Sequence, residues 1–177
     1  SGSINKTADS NALSQSLPES AVLLIDPESR SWVDRAGLDR TRFYVRLPLF
    51  VSPMDTHSLS DLIERLKTEG WGLCLSHWSQ VARLADYPHP VIGHYTLYCT
   101  NPYTHRFFRD WGLERVIGLP GNESYNDPSM INSTSLPREL MAFRQSLPFD
   151  RLDYEGRSLL VRRYQDYSVL IDPLPKS

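Results

Sequence analysis

Few side chains in this sequence combine the right types with the right spacing for catalysis, and those that do gather where predicted strands end. The five histidines, His57, His77, His89, His94 and His105, show neither HxH nor HExxH spacing, so they read as solvated or capping groups and no metal is expected. Ser76, His77 and Asp55 supply the types of a nucleophile, a base and an orienting acid. No GxSxG turn surrounds the serine, however, and any soluble domain offers such a trio. Loops of the GxGxxG or GxxxxGK kind, whose amides cradle phosphates, do not occur. Arg157, Arg162 and Arg163 beside Tyr164 and Tyr167 would suit an anion or stack on a base, which makes RNA one candidate partner. A charged, solvated strand face is the simpler reading of the same residues.

The elements that position these residues are short and regular. Val91 to Leu119 reads as strand, capped helix and strand with almost no slack. Asn101 stands at an N-cap with Pro102 at N1, Tyr103, Phe107, Phe108 and Trp111 fall on one helical face, and Gly112 supplies the left-handed stop. Upstream, Ala21 to Ile25 is a buried strand candidate, Trp32 to Arg40 is ambiguous, and RFYVRLPLFV from Arg42 is a strand whose Pro48 argues for an edge or a bulge. Ser58 to Asp61 resembles a capping box, followed by an apolar stripe of Leu59, Leu62, Ile63 and Leu66 that ends near Gly70. Trp71 to Ser76 is the next strand, and a short helix from Trp78 to Ala85 leads back to Val91. After Leu119 a run of turn formers reaches Ser135, Pro137 opens a helix burying Leu140, Met141, Phe143 and Leu147, and GRSLLVRRY and YSVLID close the chain as a hairpin or as separate strands.

Strands alternating with helices of roughly 8 to 12 residues predict a parallel sheet with right-handed crossovers. The expected fold is therefore α/β, with a mainly parallel sheet forming half of a β/α barrel of about four units. Ligands of such folds approach the C-terminal strand ends, which singles out Asp55, His77, Asn101 and Asn122 as ligand-binding candidates. A half-barrel leaves two open edges, so a partner segment or subunit, a second copy, or the Ala21 to Ile25 and Tyr167 to Ile171 strands would be expected to cover them.

The 177 residues suit one domain, over 20–177, behind a Ser- and Asn-rich leader at 1–19 whose Ser1-Gly2-Ser3 reads as a cloning remnant. Nineteen basic residues against twenty-one acidic ones leave a charge of -2, which provides no global field for nucleic acid or anionic membrane. No apolar run approaches the roughly 20 residues of a membrane helix, so a cytoplasmic protein without a membrane partner is expected. The Asn5, Asn122 and Asn132 sequons would then be chance. Cys74 and Cys99, each within a predicted strand, read as buried reduced thiols. Two thiols cannot hold a four-thiolate cluster, and no cofactor is expected.

Four segments resemble the collagenase-like peptidases, whose members include RNA and ubiquinone hydroxylation enzymes with barrel domains. They are Arg46-Leu47-Pro48 before a helix, IGHYTLYCTN, similar to the family's gDyxLNvxN element, WGLERV, similar to lGlxrv, and Gly156 to Leu160, similar to GrlPLm. The resemblance runs from Arg46 to about Arg163 and implies a β/α barrel. His94 stands where the family carries Asp and Tyr98 where it carries its first Asn, while Asn101 matches the second. Leu119-Pro120-Gly121-Asn122 replaces Ser-Pro-Glu-Leu, and the cysteine expected after GrlPLm falls near Gln165. The resemblance with these departures implies a divergent, non-catalytic binding or assembly domain. The alternatives are a segment of a peptidase or RNA-modifying hydroxylase completed by another segment or subunit, and a small-molecule binding domain that keeps His94, Asn101 and Asn122 as ligand-binding contacts in a mostly apolar pocket.

Overall fold

The short strands of the first sheet are nearly continuous apolar runs, and such runs build a sheet packed on both faces. The structure, a computed structural model, describes residues 21–49, 51, 56–119, 130–131, 138–143, 146–154, 156–164 and 167–173. Six parallel strands lie side by side in chain order: β1 (Leu23–Ile25), β2 (Phe43–Arg46), β3 (Gly72–Leu75), β4 (Val91–Gly93), β5 (Arg115–Ile117) and β6 (Met130–Ile131). They curl into a half-barrel with helices on its outside. Phe43, Val45, Leu73, Leu75, Val91 and Val116 point outward into a core shared with Leu59, Ile63 and Leu66 of the Thr56–Glu69 helix and Phe108 of the Pro102–Asp110 helix. Cys74, Ile92 and Ile117, the intervening residues, face inward with Leu24, Tyr44 and Ile131. Burial on both faces is what parallel strands joined by helical crossovers require.

Close packing limits what the strands tolerate. A Cβ on Gly93 would come within 2.7 Å of Leu97 Cδ1 and 3.1 Å of Leu113 Cδ2, so the return of the chain from β4 toward β5 needs a residue without a side chain there. Gly112, at φ +94°, ends the Pro102–Asp110 helix in the left-handed region, as its place in the sequence predicts.

A second sheet follows, and it is antiparallel. Its strands β7 (Arg138–Phe143), β8 (Arg151–Tyr154), β9 (Arg157–Arg163) and β10 (Ser168–Asp172) lie in the order β7-β10-β9-β8. One face is packed by Leu147, Leu159 and Leu170, and the other by Tyr167, Val169 and Ile171. Leu49, which follows β2, joins the second cluster, and its N–H donates to Tyr167 Oη at 3.3 Å. The antiparallel sheet thus sits against the C-terminal end of β2.

Several sequence-based expectations are overturned. The helix expected from Pro137 is strand β7, because pairing with β10 from Ser168↔Phe143 to Asp172↔Arg138 outweighs the helix-forming Glu139, Leu140 and Met141. The Ser168–Asp172 strand covers no edge of the parallel sheet; it lies between β7 and β9, and the last two strands pair antiparallel as one of the two expected alternatives. Pro48 marks neither an edge nor a bulge, since β2 ends at Arg46 and is interior, between β1 and β3. The Thr56–Glu69 helix starts before Ser58, so Ser58 to Asp61 is not its capping box. Met130 and Ile131, in the run taken as loop, form β6 beside β5. Cys99 lies beyond β4 and outside any strand, although it and Cys74 are both buried and in no disulfide, as expected. Finally, Tyr103, Phe107 and Trp111 do not share a buried face with Phe108: His105 and Phe108 point inward, and the other three are exposed. The leader at 1–19 lies outside the described residues.

Candidate functional site

The C-terminal ends of β2, β3 and β4 bring together Arg46, Ser76, His94 and Thr96, four polar residues from three separate stretches of sequence. Parallel register is the cause: Arg46 pairs with Cys74, and Leu75 with Gly93, so the residues leaving each strand emerge side by side. Arg46 Nε donates to Ser76 Oγ at 3.0 Å, and the Thr96 hydroxyl donates to Ser76 O at 2.7 Å. Ser76 and His94 are almost completely buried, at 1% and 2% exposure.

His94 Nδ1 lies 3.0 Å from Thr96 Oγ1. The Thr96 N–H donates to Nδ1 at 3.4 Å, the cap by which His94 opens the 3-10 turn Tyr95–Leu97. With Nδ1 accepting, the neutral ring carries its proton on Nε2, and among the described residues nothing bonds to Nε2. Burial, reinforced by the charge of Arg46, holds the His94 pKa well below the ordinary value of 6.5, and its ring rests against Tyr95 with centroids 4.1 Å apart. His94 is therefore a neutral imidazole at neutral pH, its Nδ1 engaged by Thr96 and its Nε2 left to other partners.

Tyr164 enters the same electrostatic environment from the antiparallel sheet. Its phenol pKa is raised by burial, opposed by the Arg46 charge and by a hydrogen bond with Arg162. The ring stacks on Tyr167, with centroids 4.5 Å apart and planes 15° from parallel. Half-buried Tyr164 thus stands in the field of Arg46, backed by the buried ring of Tyr167.

The sequence-predicted candidates divide sharply. His94 belongs to this cluster. Asn101 is a cap: its Oδ1 accepts from Tyr103 N and Thr104 N, both at 3.0 Å, at the start of the Pro102–Asp110 helix. His77 caps too, with Nδ1 2.8 Å from Ser79 Oγ, opening the 3-10 turn Trp78–Arg83. The Ser76, His77 and Asp55 trio is accordingly not assembled as a triad among the described residues, since Ser76 Oγ is held by Arg46 and the described bond of the His77 ring is with Ser79. Asp55 and Asn122 lie outside the described residues. Arg157 pairs with Asp172 at 3.1 Å, and Arg163 pairs with Asp150 while donating to Leu147 O at 2.8 Å. Those two arginines staple strand ends, and Arg162 alone bonds toward the rim.

Arg46, Thr96 and Gln80 escaped sequence reasoning as site residues, and Tyr164 entered it only beside the arginines of its strand. Gln80, 2% exposed, accepts through Oε1 from Ser76 N and His77 N at 2.9 and 3.1 Å and donates from Nε2 to Pro48 O at 2.7 Å. It clamps the ends of β2 and β3 together. The signal available in the sequence was the spacing His77-x-x-Gln80, a capping box with histidine in place of serine.

Among the described residues no group of three or more His, Cys, Asp or Glu is placed to hold a metal ion. No helix among them is long and apolar enough to cross a membrane. The chain matches no protein-family model, and searches of curated proteins and of solved structures return no match.

Proposed function

We propose that this chain is a non-catalytic binding or assembly domain, built like one half of a collagenase-like peptidase barrel. The observation that carries the reading is the ending of the parallel sheet at β1 and β6, each paired on one side only among the described residues. Unpaired strand edges favour addition of another strand or cover by another chain. Support also comes from the rim, where Asn101 and His77 cap turns, and from the departures of His94 and Tyr98 from the family's motif. A partner segment or subunit covering an edge is the expected occupant, and a cytoplasmic setting fits two buried cysteines outside any disulfide.

Deletion tests this reading. Removing residues 1–26 takes away β1 and bares β2, and should cause oligomers or aggregation, whereas removing 1–19 should be nearly neutral by size-exclusion chromatography with light scattering. A stable monomer after the longer deletion would refute edge covering. Peptide hydrolysis by the isolated chain would refute the non-catalytic reading and favour the rival, a peptidase or RNA-modifying hydroxylase segment.

The small-molecule reading has one specific observation in its favour: His94 Nε2 has no partner among the described residues and lies in the field of Arg46. A ligand accepting a hydrogen bond there would shift the His94 imidazole resonances on titration.

A further inference from the structure

We propose that the outward face of the Pro102–Asp110 helix is a docking surface for a second copy of this chain, arranged antiparallel about a two-fold axis. This deepens the assembly reading by naming a partner, and it uses a surface separate from the sheet edges. Tyr103, Phe107 and Trp111 recur every four residues and so form one stripe, and they are 85%, 51% and 55% exposed. Phe107 and Trp111 rings lie 5.9 Å apart, which makes the stripe continuous. Large aromatics gathered on one exposed face mark an interaction site more often than single exposed side chains do.

Charge selects the occupant. Beside the stripe lie Arg106 and Asp110, both exposed and of opposite sign. A balanced surface of that kind has no net attraction for a phosphate backbone or an anionic lipid headgroup, both of which need clustered cations. It does match itself in reverse. Arg106 and Asp110 follow one another along the helix, with Nε and Oδ2 3.9 Å apart and side chains 85% and 70% exposed. Two-fold rotation reverses the helix, so the cationic end of one face meets the anionic end of the other while the two aromatic stripes cover each other.

Area sets the strength. With aromatic side chains offering about 150 to 250 Å² each, the exposed parts of these three supply about 300 to 450 Å² per copy. Two copies together fall short of the roughly 1,200 Å² at which stable interfaces begin, so the dimer should be weak and concentration-dependent.

Sedimentation equilibrium over a wide range of chain concentration tests the proposal on the full chain. The unmodified chain should show a reversible monomer–dimer equilibrium, and Phe107→Glu should weaken it by about 10-fold or more. Arg106→Asp makes the face wholly acidic at these two positions and Asp110→Arg wholly basic, so each variant alone should weaken association by about 5-fold. An equimolar mixture of the two variants should associate more tightly than either alone, which only a self-complementary face explains. These positions are exposed, and circular dichroism should confirm unchanged folding; if Phe107→Glu disturbs the helix, the charge pair decides alone. A chain monomeric at every concentration overturns the proposal, as does a mixture that associates no better than its parts. A dimer indifferent to all these variants but altered by deletion of 1–26 also overturns it, while leaving the assembly reading in place.

Discussion

Replacing Gln80 with methionine should cost about 2 to 6 kcal/mol of stability, a large loss for a substitution that preserves length and nearly preserves volume. The side chain serves three backbone groups: it accepts from Ser76 N and His77 N and donates to Pro48 O. Ser76 is 1% exposed, so its N–H, once stranded, has no route to water and carries the full penalty of about 1 to 3 kcal/mol. His77 is exposed and Pro48 half-buried, so their groups recover water and lose about 0.5 to 1.5 kcal/mol each. Urea denaturation at fixed pH measures the effect as a shift of midpoint at constant slope. Gln80→Glu separates the terms further. The introduced carboxylate keeps an acceptor for the two N–H groups but repels Pro48 O, and burial beside that carbonyl raises its folded pKa above the unfolded value. A raised folded pKa means that the folded chain binds the extra proton more tightly, so relative stability should be greatest below the unfolded carboxyl pKa of about 4.3 and be lost as pH rises through the folded one. A midpoint shift for Gln80→Met worth less than about 0.5 kcal/mol would show that Gln80 is not the clamp between the ends of β2 and β3.

Asn101→Ala should destabilise by about 0.5 to 2 kcal/mol, because Oδ1 serves two first-turn N–H groups, whereas Asn101→Asp should be nearly neutral; thermal midpoints of the two variants check both. His94 is held neutral when folded, its pKa depressed first by burial and then by Arg46, so the stability it supports is full above about pH 6.5 and declines as pH falls through that value and the unfolded chain takes up the proton. Imidazole resonances followed by NMR should show no His94 titration near pH 6.5, and a titration there would contradict the burial argument. Gly93→Ala should cost about 1 to 3 kcal/mol, since its Cβ must displace Leu97 and Leu113 side chains, and a variant with an unchanged denaturation midpoint would show that those side chains give way freely.

Local chemistry made much of this chain legible from its residues. Asn101, Pro102 and Gly112 bracket a helix by rules that act within a few residues, and the structure places cap, first turn and left-handed stop where those rules put them. The half-barrel followed from the same source, because short apolar runs separated by helical ones leave few topologies open. Periodicity located Leu59, Ile63 and Leu66 on a buried face for an equally local reason.

Tertiary structure decided what such rules leave open. Tyr103, Phe107, Phe108 and Trp111 are all aromatic, so apolarity alone does not say which of them faces the sheet; the seating of the helix against Leu113 and Val116 chose Phe108 and left the others outside. Residues 138–143 have the composition of a helix, and only a partner strand thirty residues away made them β7. The rim is the clearest case. Arg46, Ser76, His94 and Thr96 share no motif and lie up to fifty residues apart, and parallel register places their strand ends together. That juxtaposition, by desolvating His94 beside a guanidinium, sets a protonation state that no spacing in the chain encodes.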